Sequence, residues 1–283
     1  QNIQGSVNNR ITISNYPAEV PIYDFSGFVT VATDPWGIYM DNCYYLTITG
    51  LRVRALAQVA SGLGVSRGWA FDASPNNILN ICTIDSMGGT GFVVGNGSDN
   101  NTFNYCDSYY NADNTSTPSP YGGADGFSVS SVNATNTVFN YCRAWWNSDD
   151  GFDNFGIDGT VIYLGNWAFW NGYIPGGFST GGNGEGFKLG PTATSKLTDT
   201  LKWMYENLAF ENRTTGFGQN EARCLFTMYN NTSYLNGING FWWGWENATV
   251  QNFKNNCAYA NVTNDLNDAG SNVPATYNSW NGT

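Results

Sequence analysis

The feature that most constrains this chain is that it resembles itself. A short motif recurs as NCYYLTITG at Asn42, NICTIDSMGGTGF at Asn80, NYCDSYYNAD at Asn104 and NYCRAWWNSDDGF at Asn140. The series continues with GNWAFWNG at Gly165, ENLAFENRTTGF at Glu206, NNTSYLNGINGF at Asn230 and NNCAYAN at Asn255. Aligned this way, one position reads Cys43, Cys82, Cys106, Cys142, Asn166, Asn207, Asn231 and Cys257. A unit of about 24 residues, with insertions of about 10 to 15, accounts for every step.

Each unit consists of short β-branched or aromatic runs broken by Asn and Gly. The run from Thr137 to Trp145 alternates with period two, and no stretch keeps a helical period. Repeats of this size with strands and no helices predict an all-β solenoid. Propeller blades need about 40 residues, and the leucine pattern of leucine-rich repeats is missing. The expected fold is a right-handed parallel β-helix of about eight to ten coils, as one domain over residues 1–283.

Stacked coils bring equivalent residues about 4.8 Å apart. The Cys/Asn column then becomes an inward ladder, with Asn amides bonding from coil to coil and Cys filling the same small site. A disulfide alternative pairs Cys43 with Cys82 and Cys106 with Cys142.

Composition narrows the chemistry. Among 283 residues there is no histidine, which excludes a Ser-His-Asp triad, a Cys-His pair and an imidazole zinc site. A net charge of -11, from 22 acids against 11 bases, argues against nucleic acid or an anionic membrane as partner. No apolar run is long enough to span a bilayer.

A second column locates the chemistry. Gly-Trp or Gly-Phe recurs at Trp69, Phe92, Phe127, Phe152, Phe187, Phe217 and Phe241, and these aromatics suit an inward stack. Two residues before the aromatic stand Thr90, Asp125, Asp150, Glu185, Thr215 and Asn239. Just after it stand Val93, Ser128, Asp153, Lys188, Gly218 and Trp242. Carboxylates thus occupy one outward column on consecutive coils, with Asp149 beside them and Asp153 one coil before Lys188. Acids this close repel one another unless a cation sits among them. Asp125, Asp149, Asp150 and Asp153 offer oxygen ligands only, which suits Ca²⁺ better than zinc. A solvated acidic face is the plainer reading of the acids, and a surface salt bridge that of Lys188. Beside Ca²⁺ the Lys188 ammonium is disfavoured, whereas the carboxylates push the other way. Lysine next to such a metal is equipped to remove a proton α to a uronate carboxylate.

At these residues the chain resembles polysaccharide lyase family nine, which comprises pectate and rhamnogalacturonan lyases. The resemblance rests on CDSYYNAD at Cys106, ADGF at Ala124, CRAWWNSDDGFD at Cys142, WAFWNG at Trp167, GNGEGFKLG at Gly182 and NLAFENRTTGFGQN at Asn207. It runs in order from about residue 36 to 260, and SDDGFD and GFKLG are its most specific parts. It implies a right-handed parallel β-helix, Ca²⁺ dependence, Asp125, Asp149, Asp150 and Asp153 as ligands, and Lys188 as base. The chain departs from the family at Glu185, where the family usually looks uncharged. Thr215 and Gly218 replace a lysine and an aspartate, which leaves the polysaccharide open.

Arg213 suits a second uronate because its fork matches a carboxylate. Glu185, Asn220 and the outward Trp242 join it as substrate-binding candidates, while Arg143 sits one coil too early. Trp145, Trp146, Trp170, Trp243 and Trp245 suit packing better than sugar stacking. The start at Gln1 suggests a mature secreted product, as do ten Asn-X-Ser/Thr sequons from Asn96 to Asn281, several of them expected to be buried. The expected function is a secreted, monomeric, Ca²⁺-dependent lyase of 4-linked galacturonan. Rivals are a lyase of rhamnogalacturonan or another uronate polymer, an inverting β-helical hydrolase with paired carboxylates, and a non-catalytic carbohydrate-binding solenoid.

Overall fold

The computed structural model describes residues 2–28, 35–58, 62, 66–130, 134–155, 159–190, 201–222, 224–244, 251–268, 273–274 and 277–281. The described strands form three parallel sheets of nine, and each coil places one strand in each sheet. The first coil supplies Ile11–Ser14, Ile22–Asp24 and Trp36–Asp41 to the first, second and third sheets, and later coils repeat that order. This is the expected parallel β-helix, with nine coils.

The corners explain the motif. Between the first and second sheets each coil turns through one left-handed residue, such as Tyr105, Tyr141 or Glu206 at φ between 54° and 58°. The next residue is the inward column. There Asn166 Nδ2 donates to Phe139 O and Asn207 Oδ1, at 2.9 and 3.0 Å. Asn207 repeats the pattern onto Tyr163 O and Asn231 Oδ1, at 3.1 and 2.9 Å. A buried turn leaves backbone groups that sheet pairing cannot reach, and an Asn amide supplies both a donor and an acceptor for them. Cys82, Cys106 and Cys142 aim their thiols at the equivalent carbonyls of Ile48, Leu79 and Phe103.

The column differs from expectation at both ends. Leu51, not Cys43, precedes the second-sheet strand of its coil, and Asn256, not Cys257, accepts from Asn231 at 2.9 Å. Cys43 belongs to another corner, where its backbone N–H donates to Ser74 Oγ. Cys257 is exposed at the start of a strand. All six cysteines are free, so neither suggested disulfide forms. The Cys43–Cys82 pair fails because the two lie at different corners. The Cys106 and Cys142 sulfurs instead bond to backbone oxygens.

A second ladder, absent from the sequence reading, follows the first by five residues. Asn111, Asn147, Asn171, Asn212, Asn236 and Asn261 bond in succession at 2.8 to 3.0 Å. Asn207→Ala is expected to lower stability by about 2–4 kcal/mol, because it strands the Asn166 N–H and the Tyr163 carbonyl. Denaturant unfolding measures this, and a loss under about 1 kcal/mol would mean that the ladder relaxes.

The inward aromatics stack as expected, with ring centroids 4.8 to 5.0 Å apart from Phe92 through Phe127, Phe152, Phe187, Phe217 and Phe241. The glycine before each ring is sterically required. A Cβ on Gly151 would lie 2.6 Å from Gly186 O and 2.8 Å from Asn171 Nδ2. This pinch also explains why Asp150 faces outward: strict alternation from Phe152 would turn it in, but the third-sheet strand begins only at Phe152.

Candidate active site on the third sheet

The register of the third sheet builds the site. Ser128 pairs with Asp153, Asp153 with Lys188, Lys188 with Gly218, and Gly218 with Trp242. Oxygens of Asp125, Asp150 and Asp153 lie within 4.8 Å of one another, and all three residues are buried. Lys188 Nζ donates to Asp150 Oδ2 at 3.0 Å and to Asp153 Oδ2 at 3.3 Å. The other Asp150 oxygen accepts the Glu185 N–H at 2.7 Å, which ties the strand carrying the lysine to the acids.

Asp149 lies at the corner, where its Oδ1 accepts the Asn183 N–H. It lines the same cleft of about 350 Å³ as Asp125, Asp153 and Lys188. Asp153 Oδ1 is buried and has no hydrogen-bond partner, and Glu185 Oε2 shares that state. An orphaned carboxylate oxygen among converging carboxylates is what an oxygen-ligated cation would satisfy.

The electrostatics agree. Burial, and then Asp153, Asp149 and Asp150, push the Asp125 carboxyl well above its ordinary range. Burial and then Asp150 do the same to Asp149 and Glu185. Burial raises Asp153 to about 6 against the pull of Lys188. Burial alone would lower Lys188, but Asp150, Asp153, Asp149 and Asp125 together outweigh it and raise it. Without a cation the acids therefore hold the proton on the lysine.

These shifts set a pH dependence. A carboxyl raised in the fold binds its proton more readily folded than unfolded. Stability therefore falls as pH rises from about 4, the unfolded value, through about 6. The cation-free protein is expected to melt at a higher temperature at pH 5 than at pH 7, and saturating Ca²⁺ should shrink the difference. A melting temperature that drops on acidification from pH 7 to 5 would contradict the reading.

The substrate-binding candidates also converge. Arg213, Glu185, Asn220 and Trp242 line one cavity of about 520 Å³ next to the cleft. Arg213 Nη2 donates to the Gly182 and Asn183 carbonyls, so its head is turned onto the loop that seats Asp149. Asn220 Nδ2 donates to Gly190 O at 2.8 Å. Arg143 lies on the second sheet in a two-pronged pair with Asp107, at 2.8 and 2.7 Å. Trp145 stacks between Tyr109 and Phe169, and Trp243 is inside the core. Trp245, like sequon residues Asn133 and Asn247, lies outside the described residues. Of the other sequon residues, Asn212 and Asn231 are buried ladder members.

The sequence reading missed Arg67, Asn183 and Phe155, which line the cleft. Arg67 stands two before Trp69, so extending the column by one coil would have found it. Asn183 and Phe155 lie outside the strands, where no repeat predicts position.

The sequence model described as "Pel9A-like, right handed beta helix region" matches residues 1–267. The chain belongs to the Pel9A-like β-helix family. Within it, the chain is similar to pectate lyase L of Dickeya dadantii (strain 3937), 38% identical over 197 residues, or 68% of this chain and 43% of that protein. It is also similar to pectate lyase L of Paenibacillus polymyxa (strain SC2), 30% identical over 238 residues, or 80% of this chain and 49% of that protein. The chain thus spans less than half the length of these relatives. Its fold matches the solved pectate lyase Pel9A with a TM-score of 0.74 and 26% identity, over 100% of this chain and 66% of that one. A rhamnogalacturonan lyase shares the fold at 0.76 and 24% identity, over 100% and 73%. Among the described residues of this Pel9A-like chain, no helix is long and apolar enough to cross a membrane.

Proposed function

We propose that the chain is the catalytic unit of a secreted, Ca²⁺-dependent polysaccharide lyase that cleaves at a 4-linked galacturonate by β-elimination. The observation that carries this is Lys188 Nζ at 3.0 and 3.3 Å from two members of a buried aspartate cluster, at the floor of an open cleft. The family relatives named pectate lyase support it. Asp125, Asp149, Asp150 and Asp153 fit a hard cation by donor type, by convergence and by the orphaned Asp153 oxygen. Ca²⁺ held there would pair with the uronate carboxylate, acidify its α-proton and offset the charge that keeps Lys188 protonated.

Neutral Lys188 Nζ takes the proton from C5 of the uronate. The C–H electron pair becomes the C4–C5 double bond, and the sugar on O4 leaves with its bonding pair. Asp150 and Asp153 then stabilise the ammonium formed, through the contacts already present. Trp242 and Asn220 border the path of the neighbouring sugar. Pectic polymers are the test substrates, with Ca²⁺ or with chelator. The expected result is near-ultraviolet absorbance from unsaturated uronides, lost with chelator. Saturated products with chelator present would point to a hydrolase, and no turnover of any uronate polymer would defeat the enzyme reading.

A further inference from the structure

Two strand spacings, about 9.6 Å, separate Lys188 from Trp242 along the third sheet. Between them stands Gly218, which has no side chain, and the Glu185 carboxyl fills the space. A Cβ on Gly218 would lie 2.0 Å from Glu185 Oε2. That oxygen is buried and unpartnered, and Glu185 lines the cavity shared with Trp242, Asn239 and Thr215.

We propose that this cavity takes a neutral sugar, so that the substrate is a polymer in which uronates alternate with uncharged residues. The proposal rests on the lyase reading and specifies its substrate class. A sugar hydroxyl can donate to Glu185 Oε2 and end its isolation, whereas a second carboxylate is an acceptor only and would face it unpaired. The one cation among the lining residues, Arg213, turns its Nη2 onto the Gly182 and Asn183 carbonyls. The half-buried Trp242 offers an indole to the apolar side of a sugar ring, and Asn239 and Thr215 offer hydroxyl partners. The opposite end of the cleft has the reverse character: Arg67 lines it, as does no acid beyond the cluster itself. A uronate therefore suits the cleft and the Arg67 side, and a neutral sugar suits the Glu185 side.

The test compares a galacturonate homopolymer with a polymer alternating galacturonate and a neutral sugar, both with Ca²⁺. The alternating polymer is expected to give a kcat/KM at least about tenfold higher. Glu185→Gln should narrow that ratio by lowering KM on the homopolymer. Trp242→Ala should raise KM on the alternating polymer with little change in kcat. A wild-type preference for the homopolymer, or a ratio unmoved by Glu185→Gln, would overturn the proposal. Unsaturated product from neither polymer would defeat the lyase reading instead. The cavity is then judged by calorimetry. Tighter binding of a mixed uronate–neutral disaccharide than of digalacturonate still supports it, and equal or weaker binding overturns it.

Discussion

Lys188→Ala is expected to lower turnover by about 10²–10⁴-fold, the range for loss of a positioned proton-transfer group. Calcium affinity should persist or tighten. The substitution removes the ammonium that now occupies Asp150 Oδ2 and Asp153 Oδ2, leaving both acids open to the metal. Turnover is read from unsaturated product, and Ca²⁺ affinity from calorimetry on the same preparation. Opposite responses of the two readouts separate a base from a residue that merely holds the cluster together. If the variant keeps near wild-type kcat, Lys188 is not the base. A joint loss of turnover and Ca²⁺ binding would make it structural.

Asp150→Asn is expected to act on both readouts. Asp150 is fully buried, with one oxygen on the Glu185 N–H and the other on Lys188 Nζ. The amide keeps the shape but removes the charge that a cation needs. Ca²⁺ affinity should fall by about 100-fold or more, because partners outside the ligand set already cost 10–100-fold in other metal sites. Turnover should fall with it and recover in part at high Ca²⁺. Unchanged Ca²⁺ affinity would remove Asp150 from the ligand set. The melting temperature of the cation-free variant provides a control: relieving repulsion among buried acids should hold or raise it.

The site was legible in the sequence to an unusual degree because a solenoid turns sequence period into spatial stacking. Asp125, Asp150, Asp153 and Lys188 are far apart along the chain, but equal offsets from Phe127, Phe152 and Phe187 set them side by side. The same logic failed where the repeat was followed by residue type alone. Cys257 was aligned in place of Asn256, and Cys43 in place of Leu51, because both cysteines look like column members. A second Asn five residues on, as in Asn207 and Asn212, would have corrected the last coil, since Asn256 and Asn261 keep that offset. The disulfide alternative failed for a related reason: spacing brings cysteines near, but corner geometry aims their sulfurs at carbonyls.

What the sequence determined by itself was periodic: a parallel β-helix, an inward aromatic stack, and an outward column of acids meeting a lysine. Backbone pairing dictates those neighbours, so counting residues suffices. Only the tertiary structure decided how each side chain uses its place. It turned Arg213 onto a loop carbonyl, left Asp153 Oδ1 and Glu185 Oε2 without partners, and made the acids outweigh burial at Lys188. Those outcomes depend on rotamers, on burial and on loops such as the one carrying Asn183, none of which a repeat encodes.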